Sequence, residues 1–248
     1  MQEYLSFLIV LVSAMGTAAT GFGFNLLSTP LLTLFHPPRV AVVLTLLLGV
    51  IASGALLGDR RLRRAIDWTV VRPLCVGSLI GMPAGLLLLQ HADGRVLKAL
   101  VAALTATFAA LMLFRLLPRR PPARLGVFAV GVLSGFLSTS TSLNGPPVVL
   151  YLIARGVAKD QFRASMVAFV FIATVASVVL MAAGGVVPRA TMMLALTLIP
   201  GVVLGLAAGS LVARRVAPQT FDAVVLGYLV VVWLLGMTAA IIGWGAPR

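Results

Sequence analysis

Apolar runs follow one another along almost the whole chain, parted by short polar stretches. A helix needs about 20 apolar residues to cross the hydrocarbon core of a bilayer. Runs of that order predict plain spans at 40–57, 70–89, 96–117, 164–183, 192–212 and 221–242. Two other runs, 4–35 and 125–153, are too long for one straight crossing, and each is interrupted near its middle by Gly, Ser, Thr and Asn. Charged or turn-forming stretches close the runs at 58–67, 91–95, 118–122, 155–163, 184–189 and 214–218, the first of them followed by Trp68 at an expected interface. The pattern predicts an all-α polytopic membrane protein.

The two interruptions are related. The first carries Gly16, Thr20, Gly21, Gly23, Asn25, Ser28, Thr29 and Pro30. The second carries Gly135, Ser138, Thr139, Ser140, Thr141, Ser142, Asn144, Gly145, Pro146 and Pro147. At an offset of 119, Gly16 meets Gly135, Thr20 meets Thr139 and Asn25 meets Asn144. Farther on, Gly77, Gly81 and Gly85 repeat as Gly201, Gly205 and Gly209, at an offset of 124. Glycine at every fourth position makes a smooth helix face on which a second helix can approach closely. One such stripe could be generic membrane-helix composition; two at matching positions point to duplication. The expected organisation is one membrane domain, with a first repeat at 1–117, a linker at 118–123 and a second repeat at 124–248. Each repeat holds a broken, re-entrant helix and three transmembrane helices.

Composition agrees. Of 248 residues, 60% are hydrophobic and 10% charged, and the mean hydropathy is +1.11; a soluble domain needs far more polar surface. A net charge of +13 would suggest nucleic acid in a soluble chain. Here the basic residues sit in short loops, where they hold the anionic side of a bilayer, and no nucleic-acid partner is expected. The charges also bear on topology. If all eight apolar segments cross, the 19 basic residues divide almost evenly between the two sides. If each broken segment enters and leaves on one face, only Arg39, Arg95, Lys98, Arg189 and Arg248 fall on the poorer side. The positive-inside rule favours the second arrangement, which inverts the second half relative to the first and puts both termini outside. Residues 4–20 are long, however, for an arm that reaches only mid-membrane. The first residues lack a basic n-region and are read as mature structure.

A polar interruption at membrane depth is tolerated only where it is enclosed in protein or lines a wet cavity. A helix is expected to restart near Asn25, whose side chain would cap it, and another at Pro146, with Asn144 as its cap. A helix N-terminus presents free N–H groups and about half a positive charge. Two such ends meeting at mid-membrane would bind an anion with dipoles rather than with full charges. The residues expected to line the site are Gly21, Gly23, Asn25, Ser28, Thr29, Thr139, Ser140, Thr141, Ser142, Asn144 and Gly145, with Thr20 and Arg163 on the pathway. A single Ser or Thr there would serve equally well to mend broken backbone hydrogen bonds or to line the site; the two asparagines with flanking glycines point to a site. Arg163 opens a span, and its simplest reading is snorkelling to the surface.

The six acids, Glu3, Asp59, Asp67, Asp93, Asp160 and Asp222, all lie at ends or in loops, so no carboxylate is available for intramembrane proton coupling. His36, His91 and Cys75 are scattered, which argues against a metal site and against an activated nucleophile. Cys75, the single cysteine, is read as packing. Neither enzyme activity nor a cofactor is expected.

The chain resembles the sulfite exporter TauE/SafE family of bacterial inner-membrane permeases. The resemblance rests on the two related halves, the Gly16…Gly21-Phe22-Gly23…Pro30 and Gly135…Asn144-Gly145-Pro146-Pro147 openings, the Gly77/Gly81/Gly85 stripe after Ile66-Asp67, and Phe162-Arg163-Ala164 after the second break. The chain departs from it at Phe24-Asn25, where many members carry further glycines, and this narrows the first break. The resemblance implies outward transport of sulfite or small organosulfonates. On this reading the protein is a secondary transporter of small anions; an anion channel and a non-transporting membrane scaffold are the alternatives.

Overall fold

The computed structural model describes residues 2–113 and 124–215. The expected span at 221–242 and the linker at 118–123 lie outside these residues. Within them the chain forms α1 (Gln2–Thr20), α2 (Phe24–Leu32), α3 (Pro38–Leu57), α4 (Arg60–Arg64), α5 (Trp68–His91), α6 (Gly94–Leu113), α7 (Arg124–Thr141), α8 (Gly145–Ala154), α9 (Lys159–Ala183) and α10 (Arg189–Arg215). Four segments, Pro38–Leu57, Trp68–His91, Lys159–Ala183 and Arg189–Leu211, are long and apolar enough to cross a bilayer. The protein is an all-helical, multi-pass membrane protein.

Local chemistry sets several helix ends. The stretch expected as a charged loop contains the short α4, whose N-cap Asp59 accepts from the Arg61 N–H at 2.8 Å. Asp67 caps α5 by accepting from the Thr69 N–H at 3.0 Å. Gln161 also donates to Asp67 at 3.1 Å, and Ser165 Oγ accepts from the Asp67 N–H at 3.0 Å. The starts of α5 and α9 therefore lie together. A second cluster of ends forms where Arg39 donates to the Gln90 carbonyl at 2.7 Å and Gln90 donates to the Gly184 carbonyl at 3.3 Å. This joins the start of α3 to the ends of α5 and α9. Ser6, near the start of α1, hydrogen-bonds His36, just past α2, at 2.8 Å, so the two ends of the first broken segment lie side by side. Burial lowers the His36 pKa, because desolvation disfavours the charged ring.

The glycine stripes set the helix packing. A β-carbon on Gly77, Gly81 or Gly85 would run into the Phe128, Val132 and Phe136 carbonyls of α7. Across the contact, one on Gly131 or Gly135 would strike Leu74 and Ser78 of α5. Gly201, Gly205 and Gly209 of α10 face Phe7, Leu11 and Met15 of α1 in the same way. In both contacts residue numbers rise together, so α5 runs parallel to α7 and α10 parallel to α1. Each broken segment thus leans on a glycine-striped helix from the other half of the chain.

Two apolar clusters flank the interruptions. One joins α5, α7, α8 and α9 through residues such as Leu74, Val127, Leu152 and Phe169. The other joins α1, α2, α3 and α10 through Val10, Phe24, Leu44 and Val202. Cys75 is a free thiol packed against the first. Val76, Leu79, Ile80, Val203, Leu204 and Leu211 stay exposed, as side chains facing lipid would be.

The helix bounds revise the alignment of the halves. Thr20 and Thr141 end their helices, Phe24 and Gly145 begin the next, and Pro37 and Ala158 cap α3 and α9; each pair is separated by 121 residues. The structural counterpart of Asn144 is therefore Gly23, not Asn25. An offset of 119 pairs Asn with Asn, but it ignores the helix phase, which sets where each break opens. The arms are also unequal: α1 is about 28 Å long at 1.5 Å per residue, against about 14 Å for α2.

Gly81→Ala should force α5 and α7 apart at a cost of about 1–3 kcal/mol, seen as a lower melting temperature in detergent. Gly94→Ala, whose nearest contact is 3.9 Å away at Pro38, should leave it unchanged. Equal melting temperatures for the two variants would contradict this packing.

Candidate functional site

Both breaks open on a residue in the left-handed region. Gly21 follows α1 with φ 82° and Ser142 follows α7 with φ 62°, and these two positions correspond at the structural offset. Their N–H groups close the preceding helices on the Thr17 and Ser138 carbonyls, at 2.8 and 3.0 Å. That conformation is natural for glycine at a helix C-terminus. In serine it is uncommon and carries strain of the kind held in place at functional sites. Gly23, with φ 103°, then turns the chain into α2.

The asparagines do not cap their own helices, contrary to the sequence reading. Asn144 precedes α8 in a right-handed helical conformation without a side-chain cap bond, so its amide is not placed to reach the first turn. It donates instead to Thr174 Oγ1 at 3.2 Å and Ser138 Oγ at 3.4 Å. Asn25 lies inside the first turn of α2, two positions past the N-cap Gly23, and reaches across to the other break. Its Nδ2 donates to the Ser142 carbonyl at 2.9 Å and lies 3.5 Å from Asn144 Oδ1. Thr29 and Ser142 are joined by a short hydroxyl–hydroxyl bond. The two breaks are thus in direct contact.

A cavity of about 30 Å³ opens at this junction, room for roughly two waters. Its lining includes Gly21, Gly23, Asn25, Asn144 and Gly145 from the expected set. The hydroxyl residues Ser28, Thr29, Thr139, Ser140, Thr141 and Ser142 are fully buried outside that lining. Ser28, Ser140 and Thr141 bond the carbonyls of Phe24, Phe136 and Leu137 at 2.7–2.9 Å, and Thr139 bonds the Met82 carbonyl of α5 at 2.7 Å. The first three fold back on carbonyls of their own helices, and Thr139 ties α7 to α5. The side chain of Thr20 lies outside the described part of the structure.

The rest of the wall comes from spans that the sequence reading treated as plain. Gly49, Ala52 and Ser53 of α3, Val170 of α9 and Thr17 of α1 line the cavity, and Thr174 and Ser177 of α9 hold Asn144 and Ser138 from behind. The signal was small and polar residues inside otherwise apolar runs. Gly49 and Thr174 lie in the middle parts of their helices, which puts the cavity well inside the bundle.

Arg163 does not snorkel. Its Nη2 donates to the Ala18 carbonyl at 2.8 Å, because the last carbonyls of α1 have no donor within their own helix. A β-carbon on Gly21 would lie 2.5 Å from Arg163 Cγ, so Gly21 separates this side chain from the cavity. A cation at a helix C-terminus is favourable, and it places positive charge one residue behind the wall.

The first turns of α2 and α8 both border the cavity, but they differ as donors. Phe24, Asn25 and Leu26 carry amides with no carbonyl partner inside α2. In α8, Pro146 and Pro147 carry no N–H, which leaves the Gly145 amide and the helix dipole. Among the described residues, no cluster of three His, Cys, Asp or Glu could hold a metal ion.

No curated protein and no solved structure matches the chain. A sequence model of the family described as sulfite exporter TauE/SafE matches residues 6–236, which include both breaks and both glycine stripes. The chain therefore belongs to the TauE/SafE family, whose members are membrane transporters and not enzymes.

Proposed function

We propose that the protein is a secondary transporter of a small anion, sulfite or a compact organosulfonate, held between the first turns of α2 and α8. The observation that carries this reading is the contact of the two breaks through Asn25 and Ser142 at 2.9 Å, with both helix starts lining one cavity. Amides and helix dipoles attract negative charge without a fixed cation. Arg163 adds positive charge nearby, and among the described residues no acid lies in the cavity lining. Substrate class and outward direction follow the family description.

The two halves are inverted repeats, at 1–117 and 124–248, around a linker at 118–123. Support comes from the ends that hydrogen bonds bring together. Loop 58–67 sits beside the start of α9, whereas loop 184–188 sits beside the end of α5 and the start of α3. The arginine-rich loop faces the cytoplasm of a bacterial inner membrane, and both termini lie outside. Transport proceeds by alternating access: a cavity this small suits an occluded carrier better than an open channel, and the glycine-lined contacts give each broken segment a smooth surface to move along.

Asn144→Leu should insert and fold but lose about tenfold or more of its sulfite flux in proteoliposomes, in line with the loss of a buried hydrogen-bonding group. Wild-type flux in that variant would remove Asn144 from the site. Sulfite on the far side of the membrane should accelerate labelled sulfite flux, as a carrier requires; steady conductance without counterflow would mean a channel. In a Cys75→Ala background, Leu62→Cys and Val186→Cys should be labelled from opposite sides of the membrane. Labelling of both from one side would sink the inverted arrangement.

A further inference from the structure

The cavity contains one group that an anion site built only from donors does not need. Asn25 is 6% exposed, and its Oδ1 is buried with no hydrogen-bond partner. The orientation of the amide is set by chemistry. Nδ2 donates to the Ser142 carbonyl, and a rotated amide would place two acceptors face to face. Oδ1 therefore points the other way, toward Gly49 on the cavity wall, where a β-carbon would lie 2.9 Å from it. A buried acceptor left unpaired costs about 1–3 kcal/mol.

A fully deprotonated oxyanion would set its own lone pairs against this oxygen. An anion that keeps one O–H removes the conflict: its charged oxygens face the amides of α2 and its hydroxyl donates to Oδ1. A cation fits poorly, since it needs several oxygen ligands and would lie beside the positive ends of two helices. Resting on the anion-site reading above, we propose that the species carried is a singly protonated oxyanion, such as hydrogen sulfite, whose O–H donates to Asn25 Oδ1. Gly49 is glycine because a side chain there would wall this oxygen off. Sulfonates, which carry no O–H on sulfur, are then the poorer ligands.

The test compares monoanions of one shape that differ only at this group. Hydrogen sulfite is paired with methanesulfinate, and bicarbonate with acetate, in binding titrations of the purified full-length chain. In the wild type the hydroxyl member of each pair should bind about tenfold or more tightly. Affinity for total sulfite should fall as pH rises and the dianion replaces hydrogen sulfite, while methanesulfinate affinity stays level. Asn25→Leu should bring each pair within about twofold. Gly49→Ala, which leaves Asn25 in place, should narrow the gap as well, and it serves if Asn25→Leu does not fold. Equal binding within both pairs by the wild type would overturn the protonated-anion assignment and leave the anion site standing. Full discrimination in Gly49→Ala and Asn25→Leu would take the role away from Asn25. Absence of binding by all four anions would overturn the anion site itself.

Discussion

A helix interrupted inside a bilayer leaves amides and carbonyls that water cannot reach, and this chain interrupts two. Each exposed group must be paired by protein or be put to use. Most are paired. The Gly21 and Ser142 N–H groups close the ends of α1 and α7, Arg163 reaches the Ala18 carbonyl of α1, and the Asn25 amide takes the Ser142 carbonyl. Among the described residues the buried side-chain atoms left without a partner are Asn25 Oδ1, Ser78 Oγ and Arg163 Nε, and the first of them sits at the junction of the breaks, beside the first turns of α2 and α8.

That junction depends on close packing elsewhere. The breaks can meet only if α1 and α7 are held firmly, and each is held by a glycine stripe on a helix from the other half. Without side chains between them, α5 and α7 touch through backbone, as do α10 and α1. Such contacts are rigid in separation yet smooth along their length. This is the mechanical property a carrier needs if one broken segment is to shift against its neighbour while the bundle stays closed to water.

Much of this was legible in the sequence, because a bilayer imposes a length on each helix. Apart from α4, which lies in an expected loop, the apolar runs located the described helices from α3 onward to within about five residues, and the polar gaps located both breaks. The glycine stripes were legible as a close-packing surface, though not which helix each one meets. The pairing of Asn25 with Asn144 slipped by two residues, since identity of residue type outweighed helix phase. The hydroxyl cluster of α7 looked like lining because composition does not tell a hydroxyl that faces a cavity from one that folds back on its own carbonyl. Gly49 and Ser53 went unnoticed because a small or polar residue in an apolar run is only a weak signal, and their role comes from packing against a distant break.

The central claim is that the two breaks form one anion site rather than two. Equilibrium dialysis of radiolabelled sulfite against the purified chain tests it most directly, with Asn25→Leu and Asn144→Leu measured alongside. A single site predicts one sulfite bound per chain, and loss of that binding in either variant. Two sulfites per chain, with each variant removing one and sparing the other, would contradict it.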